Sequence, residues 1–169
     1  MSHLPSPLSH GGLAPLLEEA SKLRRFSGPP AEFWPALVSV MARLAEASRG
    51  VLIVGQAALP DKLRKLSDWT QPGYSDPALV PFIKGAPTLA VKALEIGQAL
   101  EPIGPGLLPD STHFAICIRL QFQGGVDGCV AAFLIPNSTE AKAGELLLRL
   151  AMLADIPLDY QAQRNTQQP

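Results

Sequence analysis

The chain has 169 residues, the usual size of one domain and enough to bury a substantial core. Its formal net charge of −1 gives no electrostatic reason to expect nucleic acid or an anionic membrane as a partner. No apolar run approaches the roughly 20 residues of a membrane-spanning helix, and residues 1–12 lack the basic and apolar segments of a secretory signal. These features predict a cytoplasmic domain without direct membrane insertion.

The first part of the chain predicts a tail and two helices. Ser, Pro, His and Gly dominate residues 1–12, which is typical of a flexible tail. Over residues 13–26 the apolar side chains recur at steps of three and four, the spacing of an amphipathic helix. A second helix is predicted to begin between Ala31 and Trp34, because Pro35 is tolerated only in the first turn. Gly50 ends it.

The middle of the chain predicts two short strands and a helical region. Residues 51–56 are β-branched and apolar and predict a buried strand, and residues 62–69 predict a weaker one. Residues 79–100 have helical spacing. Because proline and glycine weaken a helix interior, Gly85 and Pro87 are predicted to divide this region into two pieces.

Residues 112–122 carry the clearest strand signal, a strict alternation of two sets of side chains. One face is apolar and consists of Phe114, Ile116, Ile118, Leu120 and Phe122. The other face consists of His113, Ala115, Cys117, Arg119 and Gln121. Residues 123–125 predict a hairpin turn and residues 126–135 the returning strand. Before this hairpin, the prolines of residues 101–109 allow at most a short edge strand.

The end of the chain predicts one more helix and a tail. Asn137 with Glu140 three residues later suggests a capping box, so the helix is predicted to begin there and to end near Ala154. Residues 156–169 are polar and predict a tail or linker. The order of elements predicts an α+β domain with a mostly antiparallel central sheet, terminal helices on one face and connecting helices on the other.

This order of elements, with particular residues in it, resembles the GAF domain family of sensor modules, and the resemblance covers residues 31–155. The matching residues are Phe33-Trp34 with Leu37, the strand Val51-Leu52-Ile53-Val54, the segment Lys65-Leu66-Ser67-Asp68-Trp69, the edge Glu101-Pro102-Ile103, and the hairpin with Ile116 and Val130. The chain is also similar to GAF modules beside the membrane-fusion adaptors of bacterial export systems. It lacks the Asn-Lys-x-Phe-Asp-Glu loop of cyclic-nucleotide-binding members and a cysteine placed for bilin attachment. Neither a cyclic nucleotide nor a bilin is therefore expected as a ligand, and no cofactor is expected.

The resemblance implies a pocket between the sheet and the helices of residues 79–100, which suits the partly polar face of residues 112–122. Its expected lining is Trp69, Tyr74, Phe82, His113, Cys117, Arg119 and Gln121. In that pocket Arg119 would hold an anion, and Trp69 would form a lip with Tyr74 and Phe82. The same side chains are also explained as a strand-end histidine, packing residues and an edge charge.

The resemblance further implies a homodimer formed by the terminal helices. Its expected interface is Leu13, Leu16, Leu17, Leu23, Leu146 and Leu150, from the leucine stripes of those helices.

The remaining reactive side chains give weaker indications. Cys117 and Cys129 are two cysteines without metal-ligand spacing, and they are explained by packing. A three-residue hairpin turn would make them neighbours on one face, as a thiol reductase needs, whereas a two-residue turn would place them on opposite faces. The histidines lack the spacing of a metal site, so no metal is expected. A small basic cluster at Lys62, Arg64 and Lys65 is interpreted as a solvated strand face.

No set of catalytic residues is evident, so the sequence does not predict an enzyme. The first hypothesis is a regulatory domain that binds an unknown small molecule and passes occupancy to an output through its terminal helices. The second is a ligand-free interaction module that dimerises through those helices. A thiol-based reductase is the third. The residues identify neither the ligand nor the output domain.

Overall fold

A computed structural model describes residues 12–74 and 77–167, which form five helices, five strands and one 3-10 turn at Pro60–Lys62. The helices are α1 (Leu13–Leu23), α2 (Pro30–Leu44), α3 (Leu79–Ile96), α4 (Glu140–Ala151) and α5 (Ile156–Gln167). The strands are β1 (Arg49–Gly55), β2 (Arg64–Thr70), β3 (Gln98–Pro105), β4 (Thr112–Gly124) and β5 (Asp127–Ser138). The tail predicted over residues 1–12 falls almost entirely outside the described residues.

The strands form one sheet in the order β2-β1-β5-β4-β3, and every neighbouring pair is antiparallel. The predicted α+β class with an antiparallel central sheet is thereby confirmed. The edge strand β3 is longer than the sequence predicted. Its partner β4 shifts register between Pro102 and Gly104, where the prolines interrupt regular pairing.

The alternation predicted for residues 112–122 is confirmed, and it separates two hydrophobic clusters. The bundle cluster joins the Phe114, Ile116 and Ile118 face of β4 to α1, α2, α4 and α5. The α3 cluster joins the opposite face, with Ala115 and Cys117, to α3. The terminal helices therefore cover one face of the sheet and the connecting helix the other, as predicted. No helix in the described part of the chain is long and apolar enough to span a membrane.

The predicted division of residues 79–100 is wrong, because α3 is one continuous helix with Pro87 inside it. Pro87 cannot donate a backbone hydrogen bond to the carbonyl of Ile83. Both residues lie on the exposed side of α3, so the proline does not leave an unpaired carbonyl inside the core. On the other side Phe82, Ala86 and Leu89 are buried against the sheet and hold the helix together across the proline.

The tail predicted over residues 156–169 is wrong for its first part, which forms α5. Ile156 and Tyr160 are fully buried one helical turn apart, and the Tyr160 ring stacks on Phe33 with centroids 3.8 Å apart. The Tyr160 hydroxyl donates to the Gly28 carbonyl at 2.8 Å. Three buried residues, Ile156, Pro157 and Tyr160, in a mostly polar segment are a weak sequence signal, and this explains the wrong prediction.

The capping box predicted at Asn137 is also wrong. Thr139 is the N-cap of α4, and its Oγ1 accepts a hydrogen bond from the Lys142 backbone N–H at 3.2 Å. Asn137 instead lies near the end of β5 with a φ of 49°, a conformation that asparagine tolerates better than most residues. Its Oδ1 accepts from the Leu107 backbone N–H at 2.6 Å.

We expect Tyr160→Ala to lower the free energy of unfolding by about 3–5 kcal/mol, because it removes a buried aromatic ring that α5 packs on α2. Urea unfolding followed by circular dichroism measures the change. The exposed Asn165→Ala, in the same helix, is the control and should stay close to wild type. Equal stability of the two variants would show that α5 does not belong to the cooperative fold.

Candidate functional site

A cleft of about 240 Å³ opens between α3 and the β1–β2 end of the sheet, and we call it the α3–β1 cleft. Its apolar lining is Val51, Ile53, Leu63, Phe82, Ile83, Ala86 and Pro87. Strand alternation explains the floor, because Val51 and Ile53 point to the α3 side while their neighbours point to the bundle. An apolar concavity with a few polar groups is the usual form of a small-molecule site.

The charged residues that line the cleft are Arg49, Arg64 and Lys65, and all three are basic. Arg49 Nη1 donates to Thr70 Oγ1 at 2.6 Å, and its Nη2 donates to Asp68 Oδ2 at 3.1 Å. Lys65 Nζ donates to the same Asp68 oxygen at 2.7 Å. This hydrogen bond from Lys65 and the nearby Arg49 charge lower the pKa of Asp68, so the carboxylate stays ionised and holds both cations at the cleft.

Arg49 is only partly satisfied by these contacts. Its side chain is 17% exposed, and its Nε is buried without a hydrogen-bond partner among the described residues. A buried donor without an acceptor costs about 1–3 kcal/mol. The site therefore contains a guanidinium that is fixed in place and has donor capacity left.

The predicted lip of the pocket is not assembled by the fold. Phe82 lines the α3–β1 cleft and also a smaller cleft of about 180 Å³ on the β3 side of α3. Tyr74 packs against the α3 cluster, close to Ser75 and Asp76, which lie outside the described residues. Trp69 packs against the bundle cluster on the opposite face of the sheet, because it pairs in register with Gly50. Trp69 and Phe82 therefore do not share a cavity.

The β4 side chains that were predicted to line the pocket include two that make hydrogen bonds within the domain. His113 is buried, and its Nδ1 accepts from the Asn137 backbone N–H at 3.2 Å. Arg119 Nη1 donates to the Leu94 carbonyl at 3.0 Å, and the Arg119 backbone N–H donates to the Gly97 carbonyl at 2.9 Å. Arg119 thus stabilises the C-terminus of α3, where a cation is favoured. The Gln121 side chain is exposed at the other end of β4.

The hairpin turn decides the question of the two cysteines. Gly124 pairs with Asp127, so the turn has two residues, and Cys117 pairs with Ala132. Cys117 belongs to the α3 cluster and Cys129 to the bundle cluster, on opposite faces of the sheet. Burial raises the pKa of the Cys117 thiol far above its usual range and that of Cys129 to about 12. This arrangement gives no support to a thiol reductase.

Apart from Phe82, which was predicted to line the pocket, the residues of the cleft were missed in the sequence, although one signal was present. The basic cluster at Lys62, Arg64 and Lys65 was interpreted as a solvated face, whereas Lys65 lines the cleft and pairs with Asp68. Arg49 gave no signal of its own, since it precedes a buried strand. The described residues contain no group of histidine, cysteine, aspartate or glutamate that could hold a metal ion.

The predicted dimer interface is mostly inside the domain. Leu23, Leu146 and Leu150 are buried in the bundle cluster, and Leu13 and Leu16 pack partly buried against it. Leu17 is exposed at 38%. The leucine stripe of α1 therefore faces α2 and α5, that of α4 faces the sheet and α2, and the surface as predicted does not form.

We expect both native thiols to resist a maleimide and to react once guanidinium unfolds the chain, because burial keeps them protonated and inaccessible. Mass spectrometry counts the labels. An Ala162→Cys variant, at an exposed position of α5, is the reactive control. Since the raised pKa lets only the unfolded state lose these protons above about pH 8.5, thiol ionisation should lower stability as pH rises further. Rapid labelling of the native chain would contradict the buried arrangement.

No protein-family model and no curated protein matches this sequence significantly. Solved structures match it at fold level. The GAF domain of nlh2 from A. aeolicus, in an inactive state, superposes with a TM-score of 0.58 at 11% identity, over 89% of this chain and 96% of that one. The GAF domain of a candidate sensor histidine kinase from Pseudomonas syringae pv. tomato superposes with a TM-score of 0.55 at 16% identity, over 91% of this chain and 87% of that one.

The bacteriophytochrome RpBphP3 from R. palustris also superposes, with a TM-score of 0.55 at 9% identity. The match covers 98% of this chain but only 40% of the phytochrome. These similarities confirm the fold that the sequence resemblance implied. At such identities they carry the fold alone.

Proposed function

We propose that this chain, which has the fold of GAF domains, is a regulatory sensor domain without catalytic activity and that it binds a small molecule in the α3–β1 cleft. The observation that carries the proposal is the cleft itself, which combines an apolar lining with basic residues held by Asp68. The cleft is slightly below the roughly 300–1,000 Å³ of drug-sized sites. Its occupant is accordingly a small metabolite.

The floor of the cleft gives occupancy a direct route to the helical bundle. Val51 and Ile53 of β1 face the cleft. Gly50, which lies between Arg49 and Val51, pairs with Phe133 and faces the bundle. A Cβ on Gly50 would lie 2.8 Å from the Phe133 ring and 3.2 Å from Val38 of α2, so β1 and α2 approach each other as closely as they can. A ligand that shifts β1 therefore shifts Phe133 and α2 as well.

The route continues from α2 to both ends of the domain. Phe33 of α2 stacks on Tyr160 of α5. Arg24, just after α1, donates from Nη1 to Asp155 and Asp159 at 2.7 Å each. The terminal helices thus meet at one place and respond together. A ligand that favours one arrangement of them is a signal in the thermodynamic sense.

We expect at least one compound in a panel of small metabolites to raise the melting temperature of the wild-type chain, since a ligand that binds only the native state stabilises it. Ala86→Met, which places a longer side chain in the cleft lining, should abolish that shift. Ala162→Met makes the same change on the exposed face of α5 and should leave the shift intact.

The same compound should change amide hydrogen exchange in α1 and α5 if occupancy reaches the terminal helices. A panel without any thermal shift would contradict the sensor. Binding without a change in α1 or α5 would contradict the proposed route to the terminal helices but not the binding site in the α3–β1 cleft.

A second candidate function, a dimerisation module, is favoured by exposed apolar side chains near the C-terminal ends of α3 and α4. Ile96, Leu148 and Met152 are exposed at 73%, 68% and 68%, beside a groove between β3 and α4. Lys92 lies on one wall of that groove and Glu145 on the other. A twofold-related copy would bring Lys92 of each chain to Glu145 of the other, so we propose a second copy as the occupant.

We expect Leu148→Glu to shift the chain towards monomer in sedimentation velocity, because it places a charge in the apolar contact. Leu17→Glu, at the exposed leucine of α1, is the matched control and should leave the association unchanged. A wild-type chain that stays monomeric at high concentration would contradict the dimer. Dissociation by Leu17→Glu alone would move the interface to α1.

A further inference from the structure

From the charge and size of the α3–β1 cleft we infer its class of ligand, a small monocarboxylate with an apolar body, held by the guanidinium of Arg49. The inference rests on the proposed function, since it assigns the chemistry of the same site. Arg49 is well placed for this role because it comes directly before the β1 residues Val51 and Ile53 that form the floor.

The spare donors of Arg49 indicate an anion. A guanidinium carries five N–H donors, and the contacts to Thr70 and Asp68 use two of them. The Nε–H is buried with no acceptor among the described residues. That donor is closed off from the cleft, but Arg49 lines the cleft and its Nη groups keep two further N–H donors. A carboxylate that enters the cleft can accept from these Nη–H groups.

The charges around the cleft indicate a single negative charge. All three charged residues of the lining are basic, although the chain as a whole has a net charge of −1. Asp68 beside Arg49 and Lys65 offsets part of this positive charge. The Arg64 side chain adds little, because its register partner Val54 belongs to the bundle cluster on the other face. The balance favours a monoanion over a doubly charged phosphate.

The walls and the volume indicate the body of the ligand. Apart from the basic residues, the lining consists of aliphatic, aromatic and proline side chains that offer no side-chain hydrogen bond. At about 30 Å³ per water-sized group, a cleft of about 240 Å³ takes roughly eight non-hydrogen atoms. A short aliphatic or aromatic carboxylate, of the size of hexanoate, matches both properties.

The test compares hexanoate with hexanamide, which has the same shape without the charge, by amide chemical shifts of β1 and β2 in NMR titrations. We expect hexanoate to bind about tenfold tighter or more, as a charge-assisted hydrogen bond implies. Arg49→Lys keeps a positive charge that can pair with Asp68 but lacks the planar guanidinium with its several N–H donors. It should weaken hexanoate binding about tenfold or more. Arg25→Lys, at an exposed arginine after α1, should bind as wild type.

Arg49→Gln and its matched control Arg25→Gln each remove one positive charge. Weaker hexanoate binding in Arg49→Gln alone would show that the charge at the cleft, and not the net charge of the chain, holds the ligand. A melting curve of each variant verifies that the fold is retained. Equal binding of hexanoate and hexanamide in the cleft would contradict the inference of a carboxylate ligand but not the proposed sensor function. Wild-type hexanoate affinity in Arg49→Lys would overturn the role of Arg49. A metabolite panel that yields only neutral or cationic cleft binders would overturn the inference alone, and a panel without any binder would overturn the proposed function too.

Discussion

The central strands β4 and β5 are apolar on both faces, and this two-sided burial organises the whole domain. A strand sends successive side chains to opposite faces, so Ile116 and Cys117, although adjacent in sequence, belong to different clusters. Each face needs its own cover, which the terminal helices supply on one side and α3 on the other. A slip of one residue in the hairpin register would exchange the two faces of β4. The observed register, in which Ile116 pairs with Phe133 and Cys117 with Ala132, keeps each set on its own side.

The cleft is a consequence of unequal cover. The sheet is five strands wide, and α3 packs mainly on β3, β4 and β5, so the β1–β2 end is left partly open on that face. On the bundle face α2 covers the same two strands. A ligand at the open end is therefore separated from the helical bundle only by the single layer of the sheet. The packed helices lie immediately behind it, an arrangement in which a small displacement of β1 cannot be absorbed locally.

The fold was largely predictable because its main signals are periodic. Alternation along residues 112–122 and helical spacing in residues 13–26 and 79–100 arise from backbone geometry, so they are readable without tertiary information. The errors have one physical cause. The continuity of α3 through Pro87 and the helical state of α5 both depend on burial against distant parts of the chain. Local sequence favoured a break and a tail, and tertiary packing outweighed these preferences.

The sequence by itself determined the α+β architecture, the two faces of β4 and the resemblance to GAF domains, since these depend on side-chain order alone. Only the tertiary structure decided which polar side chains meet. Arg119 looked like an anion ligand and instead stabilises the end of α3, whereas Arg49 and Lys65 meet through Asp68 because β1 and β2 are paired antiparallel. A pairing register between strands is not encoded at any single position. The partners of a charged side chain therefore become known only when the sheet is assembled.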